Sequence, residues 1–345
     1  MSVLAFVLHL AIGALPVVGF LLALLYLDSY KLVAMRVVIA VIAAGLGVAI
    51  GCYFVNGWLL GLSQLDFTTY SRYVGPAVEE FGKAVVIVAL LRMDRIGFLV
   101  DAAIAGFAVG TGFAIVENVY YQHLVPQAGI GAWVVRGFGT AIMHGGCTAI
   151  FAMAALTLAE RAKGNTLIAF VPSFALAVVL HSLYNHAFGS PMISTLGVIV
   201  VLPPLLLAVF QYSERATSDW LGRGFDEDTQ MLEAITSGRF PDSPAGQYLA
   251  TIKNRFKGPI VADLLCYLRL HTELALRAKG ILMMRESGFD AGVDEATRGK
   301  LDEIRYLESS VGRTGRLALR PLLREGRQEI WQLRMLEDAS VAAAK

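Results

Sequence analysis

The stretch 74–91, VGPAVEEFGKAVVIVALL, decides how the chain folds. It is 18 residues long and apolar in frame, close to the roughly 20 residues that carry a helix across a bilayer. Yet Glu79, Glu80 and Lys83 sit inside it. Each charge at a bilayer centre costs about 2.5–3.5 kcal/mol on insertion scales. Packing alone does not offset three of them. A membrane helix that keeps such residues does so for a function.

Outward from that stretch, six further apolar runs appear, so that seven fall at about 3–27, 33–55, 74–91, 97–121, 134–159, 165–187 and 191–212. Pro203 and Pro204 interrupt the last, a break that neighbouring membrane helices can absorb. The 345 residues are 56% hydrophobic and 17% charged, with a mean hydropathy of +0.60, where a soluble domain carries about 25% charge. The charge is concentrated at one end. Residues 1–212 hold 9 Lys/Arg and 8 Asp/Glu, and 213–345 hold 20 of each. The expected fold is all-α: a polytopic membrane helix bundle of about seven spans over 1–212, then a helical cytosolic domain over 213–345. A net charge of +1 gives no basis for nucleic-acid binding.

The connections alternate in charge. Lys31 with Arg36, Arg92 with Arg95, and Arg161 with Lys163 fall on one side, and only Arg72 and Arg136 on the other. The positive-inside rule then places the N-terminus outside and the charged tail in the cytosol of a cell-membrane protein. Tyr70, Tyr73, Tyr120, Tyr121 and Trp133 lie near the outer boundary, as an aromatic belt would. The first run lacks the basic start of a signal peptide and reads as a retained helix. Small residues spaced by four, Gly47 with Gly51 and Ala102 with Gly106 and Gly110, are expected at close helix crossings. Cys52, Cys147 and Cys266 form no disulfide framework, and Cys147 reads as a small buried residue.

Four runs carry the polar residues: Glu79, Glu80 and Lys83; Glu117 and Asn118; His144; His181 and Asn185. At 1.5 Å per residue, helices of alternating direction bring all of them to the outer third of the bilayer. Lys83 is within reach of either glutamate, at i,i+4 and i,i+3. Adjacent Glu79 and Glu80 point about 100° apart, so one can face a cavity while the other braces a neighbour. His186 points away from His181 and is left outside the site. A carboxylate or imidazole base can activate water, and His with Asn side chains can stabilise an oxyanion. Glu and His are also competent metal ligands. The HExxH signature is absent, as are GxGD and GxSxG.

Glu79-Glu80-Phe81-Gly82-Lys83, Phe113 through Glu117-Asn118, His144 with its glycines, and His181-Ser182-Leu183-Tyr184-Asn185 follow one another on separate hydrophobic spans. In that order they resemble the PrsW family of intramembrane proteases, within the wider glutamic-type group that includes the CAAX-prenyl endopeptidases. The resemblance implies Glu79 as the base that activates water and His181 with Asn185 as the oxyanion clamp. It departs from the CAAX pattern at Lys83, where that group has an Arg one position later, and at Glu117, where it has His. His144 is therefore the candidate for orienting water. The resemblance implies membrane-protein substrates, such as anti-sigma factors, cut near the extracytoplasmic face.

The expected activity is thus peptide hydrolysis by glutamate-activated water, with Glu80 and Glu117 in the same site, Lys83 and Asn118 supporting, and no cofactor required. A non-catalytic membrane scaffold or receptor, and a metal-dependent hydrolase using Glu79, Glu117, His144 and His181, are the competing readings. In the tail, a short helical segment is expected over 225–240. Pro259 opens a long helix to Glu286 that Ser287-Gly288 closes. Leu307, Leu317, Leu319, Leu322, Leu323 and Leu333 suggest an amphipathic hairpin. The tail reads either as a docking or regulatory domain for an unidentified protein or as a simple helical appendage.

Overall fold

A computed structural model describes residues 3–162, 166–186, 190–289, 291–323 and 326–343 of the protein. No strand occurs among them. The α-helices are α1 (Val3–Leu27), α2 (Met35–Ser63), α3 (Phe67–Arg92), α4 (Leu99–Leu124), α5 (Ile130–Val134), α6 (Ile142–Arg161), α7 (Thr166–Asn185), α8 (Pro191–Thr236), α9 (Pro244–Ile252), α10 (Gly258–Glu286), α11 (Glu295–Leu319) and α12 (Arg327–Ala343). A wider π-helical segment, Val135–Ala141, joins α5 to α6. The chain divides into two compact units, Met1–Glu214 and Arg215–Lys345. Lys163 of the basic-loop pattern lies outside the described residues.

By length and composition, five helices among the described residues can cross a membrane: Phe6–Leu27, Met35–Ser63, Leu99–Leu124, Ile130–Arg161 and Pro191–Thr236. The protein is a multi-pass membrane protein. The run expected to stop at 212 continues as α8 to Thr236, through Pro203 and Pro204. The short helix expected over 225–240 is therefore mostly the end of α8. Each proline removes one backbone donor, and Leu202 and Leu206 beside them are buried.

Helix ends in the first unit are set by local acceptors. The Asp66 carboxylate accepts from the Thr69 amide at 3.0 Å and caps α3, which starts well ahead of the apolar run. Asp101 accepts from the Gly97 and Phe98 amides at 2.8 and 2.9 Å and starts α4. Between α1 and α2, Asp28 accepts from the Leu32 amide at 2.7 Å. Burial pushes the Asp28 carboxyl up to about 6.

α4 is the central helix, with every residue from Val100 to Ala114 buried. Its glycines explain why. A Cβ on Gly110 would run into the His144 carbonyl and one on Gly106 into the Thr148 carbonyl, so α4 and α6 touch backbone to backbone. Gly112 meets the Ile42 carbonyl and Gly45 the Val109 carbonyl in the same way, which seats α2. The expected pair Gly47 and Gly51 meets nothing. Gly45 lies two residues, or about 200°, around the helix from Gly47, so the crossing uses the opposite face.

The second unit is a helical cluster around Leu264, Leu268, Leu274, Leu301 and Leu336. α10 ends as expected, with Gly288 at φ +81°. Leu307 and Leu319 are buried, but Leu317 is 56% exposed and lies off the apolar stripe. Lys279 is buried and fully partnered, 2.8 Å from Asp228, 3.2 Å from Gln332 and 3.4 Å from Glu329.

Candidate active site

Polar side chains from α3, α4, α6 and α7 form one connected chain in the first unit. Lys83 Nζ is 2.5 Å from Glu80 Oε1, and both side chains are buried. The same oxygen takes His181 Nδ1 at 2.9 Å. On its other side, Lys83 Nζ lies 3.0 Å from His144 Nδ1. His144 Nε2 lies 3.0 Å from Glu117 Oε2, and Arg136 Nη2 is 3.1 Å from that oxygen. Arg136 Nε donates to Asn118 Oδ1 at 2.8 Å, and Asn118 Nδ2 donates to the Gly13 carbonyl of α1 at 2.8 Å. Carboxylates alternate with cations and imidazoles along this path, so each buried charge on it meets a partner.

The donor inventory then assigns the protons. An ammonium only donates, so His144 Nδ1 accepts and Nε2–H donates to Glu117. A carboxylate only accepts, so His181 Nδ1–H donates to Glu80, and in the neutral ring Nε2 keeps a lone pair. That lone pair faces Glu79 Oε2 at 3.9 Å.

Glu79 differs from the other two glutamates. Glu80 is neutralised by Lys83 and Glu117 by Arg136, whereas Glu79 receives the neutral Asn56 amide, Nδ2 to Oε1 at 3.2 Å. Glu79 also lines a cavity of about 760 Å³. Glu117, His144, His181 and Asn185 line it as well, with Arg136 and Tyr121 among the remaining walls. The expected division of labour between adjacent glutamates holds: Glu79 faces the cavity and Glu80 braces α7.

The remaining expected residues fall less centrally. Asn185 donates its amide to the Ser71 carbonyl at 2.9 Å, tying α7 to α3 at the cavity edge. Asn118 is buried behind the site, between Gly13 and Arg136. His186 contacts Tyr73, outside this chain. Lys83 reaches Glu80 rather than Glu79.

Three residues have no mark in the sequence as members of the site. Arg136, whose position suggests a loop charge, is helical and 14% exposed, with its guanidinium 3.7 Å above the Tyr121 ring. Its place eight residues before His144 is no signal in a regular α-helix, where that spacing lies about 80° off the same face. The π-helical segment absorbs one extra residue, so the two reach the same face as a seven-residue spacing would give. Asn56 is hidden because α2 carries no motif, and Tyr70 because it resembles a belt aromatic. Tyr70 is buried instead and donates to Asn56 Oδ1 at 2.9 Å. Trp133 is also buried, stacked on His9, and is no belt residue.

Residues 29–209 match the model of the PrsW family intramembrane metalloprotease, just over half of the chain and every residue of the site. The chain belongs to the PrsW family. Comparison with curated proteins and with solved structures gave no match. A PrsW protein is an intramembrane protease, so this chain is a peptidase of the membrane acting on membrane-protein substrates.

The family description names a metal, and Glu79, His144 and His181 place ligand atoms within 4.8 Å of one another. Two histidines and a carboxylate suit zinc in kind. His181 is also prepared as a ligand would be, with Nδ1 on a carboxylate and Nε2 free. His144 is not. Lys83 occupies its Nδ1 lone pair and Glu117 its Nε2 hydrogen, which leaves no donor electrons for an ion. The residues as arranged do not fit a three-ligand metal site.

Proposed function

We propose that this PrsW protein hydrolyses peptide bonds with a water activated by Glu79. The observation that carries the reading is the pair of acceptors Glu79 Oε2 and His181 Nε2, 3.9 Å apart at the cavity wall. Two lone pairs facing each other call for a donor between them. A water about 2.8 Å from each spans that gap with its two hydrogens directed at both. Its own lone pair is then left for a substrate carbonyl.

As the water oxygen bonds to the carbonyl carbon, Glu79 takes the proton and later delivers it to the departing amine as the C–N bond breaks. Glu80 holds the His181 tautomer. Lys83 and Glu117 take both nitrogens of His144, so the water-orienting role expected of His144 passes to His181. His181, an acceptor to the water, has no hydrogen for the oxyanion. The clamp expected of His181 with Asn185 therefore falls to Asn185 alone, with one amide hydrogen on Ser71 and a second for the developing oxyanion.

The seven spans expected from the sequence suit this use. α3 and α7 have 26 and 20 residues, about 39 and 30 Å, enough for a hydrocarbon core of about 30 Å. α3 is less apolar than the other spans because it carries Glu79, Glu80 and Lys83, the charges that make the site. With the basic loops inside, the tail from about 213 is cytosolic and the site opens toward the extracytoplasmic face, where an anti-sigma factor is one fitting substrate. The tail then serves to dock a cytosolic protein.

The test compares wild type with Glu79→Gln and Glu80→Gln in detergent, using a pool of single-span membrane proteins and mass spectrometry of new N-termini. Termini near an outer membrane boundary, abolished by Glu79→Gln, are expected. A folded Glu79→Gln protein that cuts as wild type does removes the base, and a wild type that leaves every member intact points to a scaffold.

A further inference from the structure

We infer that Asn56, oriented by Tyr70, is a positioning residue for the Glu79 carboxylate; this rests on Glu79 acting as the base. Glu79 has three side-chain torsions, and its side chain is 18% exposed at the cavity. Lys83 and Arg136 hold the other two glutamates. What fixes the plane of the Glu79 carboxylate is Asn56 Nδ2, donating to Oε1 at 3.2 Å and leaving Oε2 toward His181.

An amide has two ends, and the wrong end would repel a carboxylate. The acceptor-only carboxylate selects the NH2 end, and Tyr70 holds that choice: its hydroxyl lies 2.9 Å from Asn56 Oδ1 and donates to it, which keeps Nδ2 toward Glu79. Tyr70 itself is 3% exposed, and Asp66 caps the first turn of its helix. The order Tyr70–Asn56–Glu79 thus repeats, with neutral groups, the logic of a base held by an orienting partner. Both Asn56 and Tyr70 line the cavity beside Glu79. A neutral holder has a chemical advantage: it fixes the base without pairing it to a cation that would weaken it.

The experiment measures kcat and KM of the full chain in detergent, on the pool protein that wild type cuts fastest. Asn56→Leu is expected to lower kcat by about 30–100-fold with KM changed less than about twofold, the scale of a misplaced catalytic group. Tyr70→Phe is expected to lower kcat about 3–10-fold, and adding it to Asn56→Leu is expected to cost nothing further, since Tyr70 acts through Asn56. A pair that only locks α2 to α3 would lower the melting temperature and leave kcat of the folded fraction alone.

A folded Asn56→Leu protein with wild-type kcat overturns the inference, as does a double variant whose loss is the product of the single losses. If Asn56→Leu does not fold, a folded Tyr70→Phe protein with unchanged kcat overturns it instead. Glu79→Gln in the same series separates the two layers. If it keeps wild-type kcat, the base assignment fails and this one with it. If it is inactive while Asn56→Leu is not impaired, only the orienting role fails.

Discussion

Lys83 Nζ lies 3.0 Å from His144 Nδ1, inside the helix bundle and with both residues buried. That contact sets the imidazole tautomer, since the ammonium has no lone pair to offer. It also joins α3 to α6 across the centre of the site. The two halves of the polar network, Glu80–His181 and Glu117–Arg136, meet there.

Removing Lys83 leaves Glu80 as a buried charge with one imidazole for a partner. Lys83→Met is expected to destabilise the protein by roughly 3–5 kcal/mol, and Lys83→Met with Glu80→Gln to recover most of it. Thermal unfolding in detergent measures both. Equal losses for single and double variants would show that the ion pair is not what Lys83 contributes.

Because His144 has no electron pair left for an ion, chelation is expected to leave cleavage unchanged. The check is 1,10-phenanthroline in the cleavage assay, with elemental analysis of the purified protein. Activity lost to the chelator and restored by zinc would mean that His144 turns away from Lys83 to bind metal.

Arg136 supports Glu117 by charge and Asn118 by a directed hydrogen bond, while stacking on Tyr121. Arg136→Gln is expected to cost about 2–3 kcal/mol of stability, because Glu117 is left without its cation. Arg136→Lys should restore only part, since an ammonium lacks the planar fork that makes these contacts together. Melting temperatures of the three proteins decide it; a full rescue by Lys would reduce the role to charge alone.

In the second unit, burial, with Lys279 adding to it, pushes the His271 imidazole down to about 4. The unfolded chain binds a proton near 6.5 that the folded unit refuses until about 4. Stability of this unit is therefore full above 6.5 and falls as the pH drops from 6.5 to 4, by roughly 2–3 kcal/mol. Hydrogen exchange of the α10 amides across that window should show the slope in wild type and lose it in His271→Phe. The same slope in both proteins would place its origin elsewhere.

Sequence patterns carried the helices far better than the contacts between them. The apolar runs located the five helices among the described residues that are long and apolar enough to cross a membrane, because hydrophobic length is a local property that tertiary packing cannot supply. The charges inside those runs marked Glu79, Glu80, Lys83, Glu117, His144 and His181, which the fold gathers into one network. Patterns failed where a residue's meaning depends on its neighbour in space. Gly47 and Gly45 look alike in a sequence, and only the position of Val109 selects Gly45. The end of α8 also escaped, since its polar continuation past 212 resembles a new domain more than the same helix.

By itself, the amino-acid sequence determined that this is a helical membrane protein with ionisable residues inside its apolar segments. Hydrophobic length and the cost of burying charge are both written along the chain, and neither needs a neighbour in space. Only the tertiary structure decided which partner each charge takes. Glu79 and Glu80 are adjacent and chemically identical, and helix geometry turns them onto different faces. One meets Asn56 and an open cavity, and the other meets Lys83 and His181 in the interior. Asn56, Tyr70 and Arg136 came to light only there, because a hydrogen bond between helices leaves no mark on the spacing within either.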